Sequence, residues 1–154
     1  WSKAASNGRT LKAHAGEFGP AANIREAIEK LNVRRIQHGT RAFGDDSVVD
    51  LLKEVDATLD LCPISNLKLQ VVPSMKEHPV RFFFDQGIRC TLSTDDTFSF
   101  GNSLTDEYEA LAEYLAFTAA ELAQIAKNGF EVADVEDDLR NQALIDIDRL
   151  ASAG

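Results

Sequence analysis

Apolar positions along this chain change their period in a regular way. In "PAANIREAIEKL" the residues Ile24, Ala27, Ile28 and Leu31 fall three and four apart, which gathers them on one face of a helix with Pro20 at its first turn. "DDSVVDLLKEV" does the same with Val48, Leu51, Leu52 and Val55, and Asp45 or Asp46 stands where a side chain can cap the first free N–H groups. Around these lie shorter runs, "LKAH" (Leu11 to His14), "RRIQHG", "ATLDLCP" and "GIRCTLSTDD", each of which reads as a strand. Another helix is expected within "PSMKEHPVRFFFDQG", interrupted or restarted at Pro79. Its three successive rings, Phe82 to Phe84, cannot all face one core from a helix, so one is expected at the surface or an interface, and His78 is expected to be exposed.

Strand, helix, strand, helix implies parallel strands joined by crossover helices, an α/β architecture. From Leu104 the pattern is helical alone, in "LTDEYEALAEYLAF", "TAAELAQIAKNGFEVA" and "EDDLRNQALIDIDRLA", with Thr105 and Thr118 as expected caps. "WSKAASNGRT" reads as the end of a helix leading into the first strand. No linker or repeat intervenes, so the chain reads as one domain or a piece of one.

Composition narrows the function. The 154 residues carry 16 Lys+Arg against 25 Asp+Glu, a net charge of -9, which argues against a nucleic acid polymer or an anionic membrane as partner. The apolar runs are too short to cross a bilayer and the first residues lack the apolar stretch of a secretory signal, so a cytoplasmic location is expected. Cys62 and Cys90 lie in apolar runs and are expected to be free, buried thiols.

The candidate chemistry stands at the strand ends. His14 closes the first strand, His38 the second, "CPISN" (Cys62 to Asn66) the third, and Asp95 with Asp96 the fourth, at intervals of 24, 24 and 33 residues. In parallel β/α folds the carboxyl ends of the strands share one face, where sites are built. Taken singly, a histidine there is a hydrogen-bonded, half-buried residue and an acidic pair is turn or cap chemistry. Taken together, two histidines, Glu17 and two adjacent carboxylates suit a divalent cation, one carboxylate binding it while its neighbour accepts a hydrogen bond or a proton.

"HAGE" (His14 to Glu17), "QHG" (Gln37 to Gly39), "CPISN" and "STDD" (Ser93 to Asp96), in this order and spacing, resemble the second half of the adenosine/adenine deaminase family, from about Leu11 to beyond Ala133. The resemblance implies a zinc-containing (β/α)8 TIM-type barrel. Residues 1–154 would be its C-terminal half, a partial deaminase domain of about strands 5 to 8 with a helical tail. It also implies hydrolytic removal of the 6-amino group of an adenine-type purine, giving the 6-oxo product and ammonia. His14 and Asp95 would bind zinc, which would acidify a bound water. Glu17 would protonate N1 of the ring, His38 would orient the water and help deprotonate it, and Asp96 would hydrogen-bond N7. Gly16 and Gly39 would leave room for the ring or the metal, and "CPISN" would shape the loop, with local hydrogen bonds from Ser65 and Asn66. "NLKLQVV" and "SLTDEY" lean toward adenine as substrate.

Two departures stand out. Thr97 follows the acidic pair where the family usually has proline, and the H-x-H pair of the family's first strand is absent, the histidines being His14, His38 and His78. Half a barrel leaves two unpaired sheet edges and an uncovered inner face, so a first-half chain or self-association is expected besides the small purine. Two other readings remain open at this point. One is an amide or ester hydrolase of the wider metal-dependent superfamily, which would need a second metal and a bridging Lys or Glu. The other is a non-catalytic remnant serving binding or assembly.

Overall fold

The computed structural model describes residues 2–153. A first turn of helix, α1 (Ser2–Ser6), leads to four strands, β1 (Lys12–Ala15), β2 (Arg35–His38), β3 (Thr58–Leu61) and β4 (Arg89–Leu92). They form one parallel sheet in the order β1-β2-β3-β4, with Ala13 opposite Ile36, Ile36 opposite Leu59 and Leu59 opposite Cys90. The first strand starts one residue later than the sequence suggests and includes Ala15.

Helices α2 (Ala22–Leu31), α3 (Asp46–Glu54), α4 (Pro63–Lys68) and α5 (Val80–Asp85) occupy the crossovers. Ile24, Ala27 and Ile28 are the buried stripe of α2, and Val48, Val49 and Leu52 that of α3, whose first turn is capped by Asp45 accepting from the Val48 N–H at 3.2 Å. These stripes meet Ile36, Leu59, Leu61, Cys90 and Phe83 in the core. After β4 come α6 (Thr97–Phe100), α7 (Leu104–Leu115), α8 (Ala119–Glu131) and α9 (Asp137–Ala153). Helix α8 packs on β4, where Asn128 Nδ2 donates to the Cys90 carbonyl at 2.9 Å, and α9 packs on α8.

Because side chains alternate along a strand, the opposite face of the sheet carries Lys12, Arg35, Asp60 and Thr91, and it is ionic. Asp60 lies 3.0 Å from Lys12 Nζ, 2.9 Å from Arg35 Nη2, and accepts from Thr91 Oγ1 at 2.5 Å. Burial would push the Asp60 carboxyl up, but hydrogen bonds from Thr91, Arg35 and Lys12 outweigh it and hold the group below the usual carboxylate range. The inner face is thus polar, so the association expected from this half-barrel has no large apolar contribution there. Arg35 Nε and Gln37 Oε1 are buried among the described residues without a hydrogen-bond partner. Among the described residues, strands β1 and β4 each pair on one side only, and a groove of about 850 Å³ runs along the β1 edge, lined by Ala13, Ala27 and Leu31 with Lys12, Glu26 and Lys30.

Several local expectations need correction. The restart at Pro79 is as expected, Pro79 being the N-cap of α5, but the segment before it is only a 3-10 turn, Met75–Glu77. Ser103, not Thr105, caps α7, because the reciprocal box needs an acid three residues on and Asp106 supplies it; Thr118 caps α8, as expected, with Glu121 in the same way. None of the three rings of α5 is exposed: Phe83 is buried, Phe82 packs edge-on against Phe43 at 5.1 Å, and Phe84 against Phe117 at 5.3 Å. His78 is 2% exposed rather than at the surface, since the 3-10 turn and Pro79 fold it inward onto α4. Cys62 and Cys90 are free and buried, as expected. Among the described residues no helix is long and apolar enough to cross a membrane.

Candidate active site

At the carboxyl end of the sheet the loops after β1 and β2 are tied together. The Gly16 carbonyl accepts from the Arg41 N–H at 2.8 Å and from Thr40 Oγ1 at 3.0 Å, and the Gly39 N–H donates to the Ala15 carbonyl at 3.1 Å. Gly16 and Gly39 have φ of +68° and +66°, and a Cβ would fall 2.4 Å from Ile24 Cδ1 and 2.6 Å from Leu59 Cδ2. A side chain at either position would therefore collide with the core beneath the loops. His38 and Asp95 adopt the same left-handed region, at φ 65° and 59°. Neither is glycine, but His and Asp tolerate this region, so each carries less than the ~1–2 kcal/mol of backbone strain that other side chains would.

This tie brings His14, Glu17 and His38 together, with one ligand atom from each within 4.8 Å of the others. The rings of His14 and His38 are 5.1 Å apart, and Glu17 Oε2 lies 3.6 Å from His38 Nε2. Burial, then the nearby Asp95 charge, raises the Glu17 pKa, with His14 opposing. His38 is pushed down by burial against the pull of Asp95. Two imidazoles and a carboxylate at this separation, with Asp95 near enough to be felt by both Glu17 and His38, fit a zinc-like cation by donor type and spacing. Asp95 itself stands outside the group of three.

The adjacent carboxylates point to different tasks. Asp95 Oδ2 accepts from Ser65 Oγ at 2.7 Å. Asp96 caps α6, its Oδ1 accepting from the N–H groups of Phe98 and Ser99 at 3.0 and 3.1 Å. The Ser99 hydroxyl, followed by these backbone bonds, holds Asp96 below its ordinary pKa. The sequence offered both cation and cap readings for the pair, and Asp96 takes the cap.

"PISNLK" is helix α4 rather than a loop, with Pro63 at its start. The hydrogen bonds of Ser65 and Asn66, expected to be local, are long-range: Ser65 reaches Asp95, and Asn66 Nδ2 reaches His38 Nδ1 at 3.1 Å. Asn66 Oδ1 in turn meets His78 Nε2 at 3.2 Å. Beneath α4, the buried Glu107 of α7 accepts from the Ile64 N–H at 3.1 Å and from Asn102 Nδ2 at 2.7 Å. Burial outweighs these two donors and raises its pKa to about 7. The roles of Asn66, His78 and Glu107 escaped the sequence reading. For Glu107 a signal existed, because it lies three and four residues before Ala110 and Leu111 on the buried stripe of α7. Burial pushes both thiols to about 12, which leaves Cys62 and Cys90 inert.

Comparison with known proteins agrees with this geometry. The chain is 42% identical over 130 residues to the adenine deaminase of Zymomonas mobilis, covering 84% of this chain and 39% of that protein. It is 37% identical over 153 residues to the adenine deaminase of Cupriavidus metallidurans, 99% of this chain and 43% of that one. The solved adenine deaminase of Arthrobacter aurescens superposes with a TM-score of 0.92 at 33% identity, over 98% of this chain and 46% of the other. An amidohydrolase from Burkholderia ambifaria with bound Zn superposes with a TM-score of 0.83 at 27% identity, over 97% and 43%. The α/β sheet thus corresponds to part of the TIM-type barrel of these proteins, and the chain spans under half the length of each relative. The family model of adenosine deaminase matches residues 1–150, and with the motifs standing at the strand ends as described, the chain belongs to the adenosine deaminase family.

Proposed function

We propose that this chain supplies one half of the active site of a zinc-dependent adenine deaminase, as a partial domain holding about strands 5 to 8 of the barrel. The observation that carries this reading is the meeting of His14, Glu17 and His38 within 4.8 Å at the sheet's carboxyl end, in a chain whose relatives include adenine deaminases. His14 and Asp95 would hold the zinc, with the remaining ligands from residues outside this sequence. When bound, zinc supplies a water acidic enough to serve as nucleophile near neutral pH.

The chain's own residues do the rest. Glu17, whose partial burial favours the neutral acid, delivers a proton to N1, which makes C6 more electrophilic. Water adds at C6 and the C6–N bond breaks; of the water's two protons one leaves with the amino group as ammonia and the other restores the Glu17 carboxyl, leaving oxygen at C6. His38, buried with Nε2 toward Glu17, positions the groups that meet at C6. Asp96 would donate to N7 only as a neutral acid released from the α6 cap, since N7 is an acceptor. Gly16 is the proposed backbone neighbour of the ring. The open β1 edge, with its 850 Å³ groove, fits a first-half chain that completes the barrel.

The test uses residues 1–154 with and without the first-half portion of the Zymomonas relative, measuring ammonia from adenine and bound zinc. Neither activity nor tight zinc is expected from the chain alone, and both from the mixture. Stoichiometric zinc with steady ammonia release from the chain alone would overturn the half-site reading. A zinc-loaded assembly inert toward adenine would overturn the substrate.

A further inference from the structure

We propose that Asn66 and His78 are positioning residues that set the tautomer of His38, so that His38 offers an N–H, not a lone pair, to the reacting centre. The inference follows a chain of hydrogen bonds from a group whose direction is not in doubt. A backbone N–H can only donate, and that of Val80 donates to His78 Nδ1 at 3.2 Å. Nδ1 of His78 is therefore the lone-pair nitrogen, and the proton of the neutral ring sits on Nε2. That proton faces Asn66 at 3.2 Å, so the Asn66 atom there is the carbonyl oxygen. The amide nitrogen then faces His38 Nδ1 at 3.1 Å and donates to it. With Nδ1 of His38 accepting, its proton lies on Nε2, the nitrogen 3.6 Å from Glu17.

Each link excludes its alternative. Turning the Asn66 amide over would set its NH2 against the Nε2–H of His78, donor against donor. A proton on His38 Nδ1 would do the same against the Asn66 NH2. His38, Asn66, His78 and Val80 are at most 2% exposed, so no bulk water stands ready to exchange roles. Burial, and the neighbouring His38, push the His78 pKa down to about 3, which keeps that ring neutral over the working range. The Asn66 backbone is itself fixed, its N–H donating to the Cys62 carbonyl at 2.9 Å and its carbonyl accepting from Val71 at 2.8 Å.

The catalytic meaning rests on the function proposed above, and it changes one role. A neutral His38 with its proton on Nε2 cannot take a proton there; it steers the attacking oxygen by donating to it. For a metal-ligating histidine, losing the partner that orients it costs roughly 10–100-fold in affinity or activity, and a loss at the lower end of that range is expected for His38, which stands beside the metal rather than on it.

The test reads the tautomer directly, by long-range 1H–15N correlation of histidine-labelled chain in the completed, zinc-loaded barrel. Wild type is expected to show His38 Nε2 as the N–H nitrogen and Nδ1 as the lone-pair nitrogen. Asn66→Asp, which presents only acceptors to His38, should reverse them. His78→Leu should mix the two forms and lower kcat for adenine roughly 10-fold with KM and zinc content kept, and His78→Gln, whose amide can donate to Asn66, should restore both. His38 found with its proton on Nδ1 in wild type, or a tautomer indifferent to Asn66→Asp, overturns the proposal even if His78→Leu does not fold. Because the spectrum does not depend on turnover, an assembly inert toward adenine but with the expected tautomer would refute the function and leave the relay standing.

Discussion

Glu107 should make the stability of this fold fall with rising pH over a range where most proteins are indifferent. Its carboxyl is fully buried between α4 and α7, and its pKa rises from 4.5 to about 7 on folding because burial outweighs the donors Ile64 N–H and Asn102 Nδ2. The folded state thus binds this proton more tightly than the unfolded chain. The contribution is fully present below the unfolded value of 4.5 and is lost as pH rises through about 7. At ~1.4 kcal/mol per pH unit, the rise from 4.5 to about 7 gives a fall of about 3.5 kcal/mol across that window. Urea unfolding of the assembled barrel from pH 4.5 to 8, wild type against Glu107→Gln, isolates the effect, because every other titrating group is common to both. The amide sets its NH2 against one of the two donors, a cost of roughly 1–3 kcal/mol that does not vary with pH. Slopes rather than absolute stabilities therefore carry the comparison. Parallel curves for the two proteins would refute the argument and mean that Glu107 is ionised in the fold.

Two further predictions concern the assembled site. Glu17→Gln should keep zinc and shape but lose roughly 10²-fold or more in turnover, since an amide cannot deliver the proton to N1; near-normal ammonia release would remove Glu17 from that role. Asp95→Ala should lower zinc content, whereas Asp96→Asn should leave it unchanged, because asparagine caps a helix as well as aspartate does and α6 survives; equal zinc loss from both would show the pair misassigned.

The strands and crossover helices were legible because one face of the sheet is apolar, and Ile36, Leu59 and Cys90 carry that alternation openly. His14, Glu17 and His38 were legible as a site because parallel strands bring their ends together regardless of the residues between. Helix α4 was not, since it buries Ser65 and Asn66 and so shows no apolar period. His78 looked exposed because polarity alone was visible, while its partner Asn66 lies 12 residues away on another element. The task of Asp96 depends on α6, four residues too short for any periodicity to announce.

The charged inner face built on Asp60, Lys12 and Arg35 bears on the order in which such a barrel can be made. A sheet that is oily on both sides is trapped until its other half arrives, because every waiting moment exposes sticky surface. Here the oily side is already covered by the chain's own helices, and the waiting side holds charges already paired with one another, Asp60 between Lys12 and Arg35. On the half-barrel reading proposed above, such a unit would mature before its complement, and closing the barrel would be a late docking of two finished sheets, sensitive to salt because Lys12 stands 45% exposed at its rim.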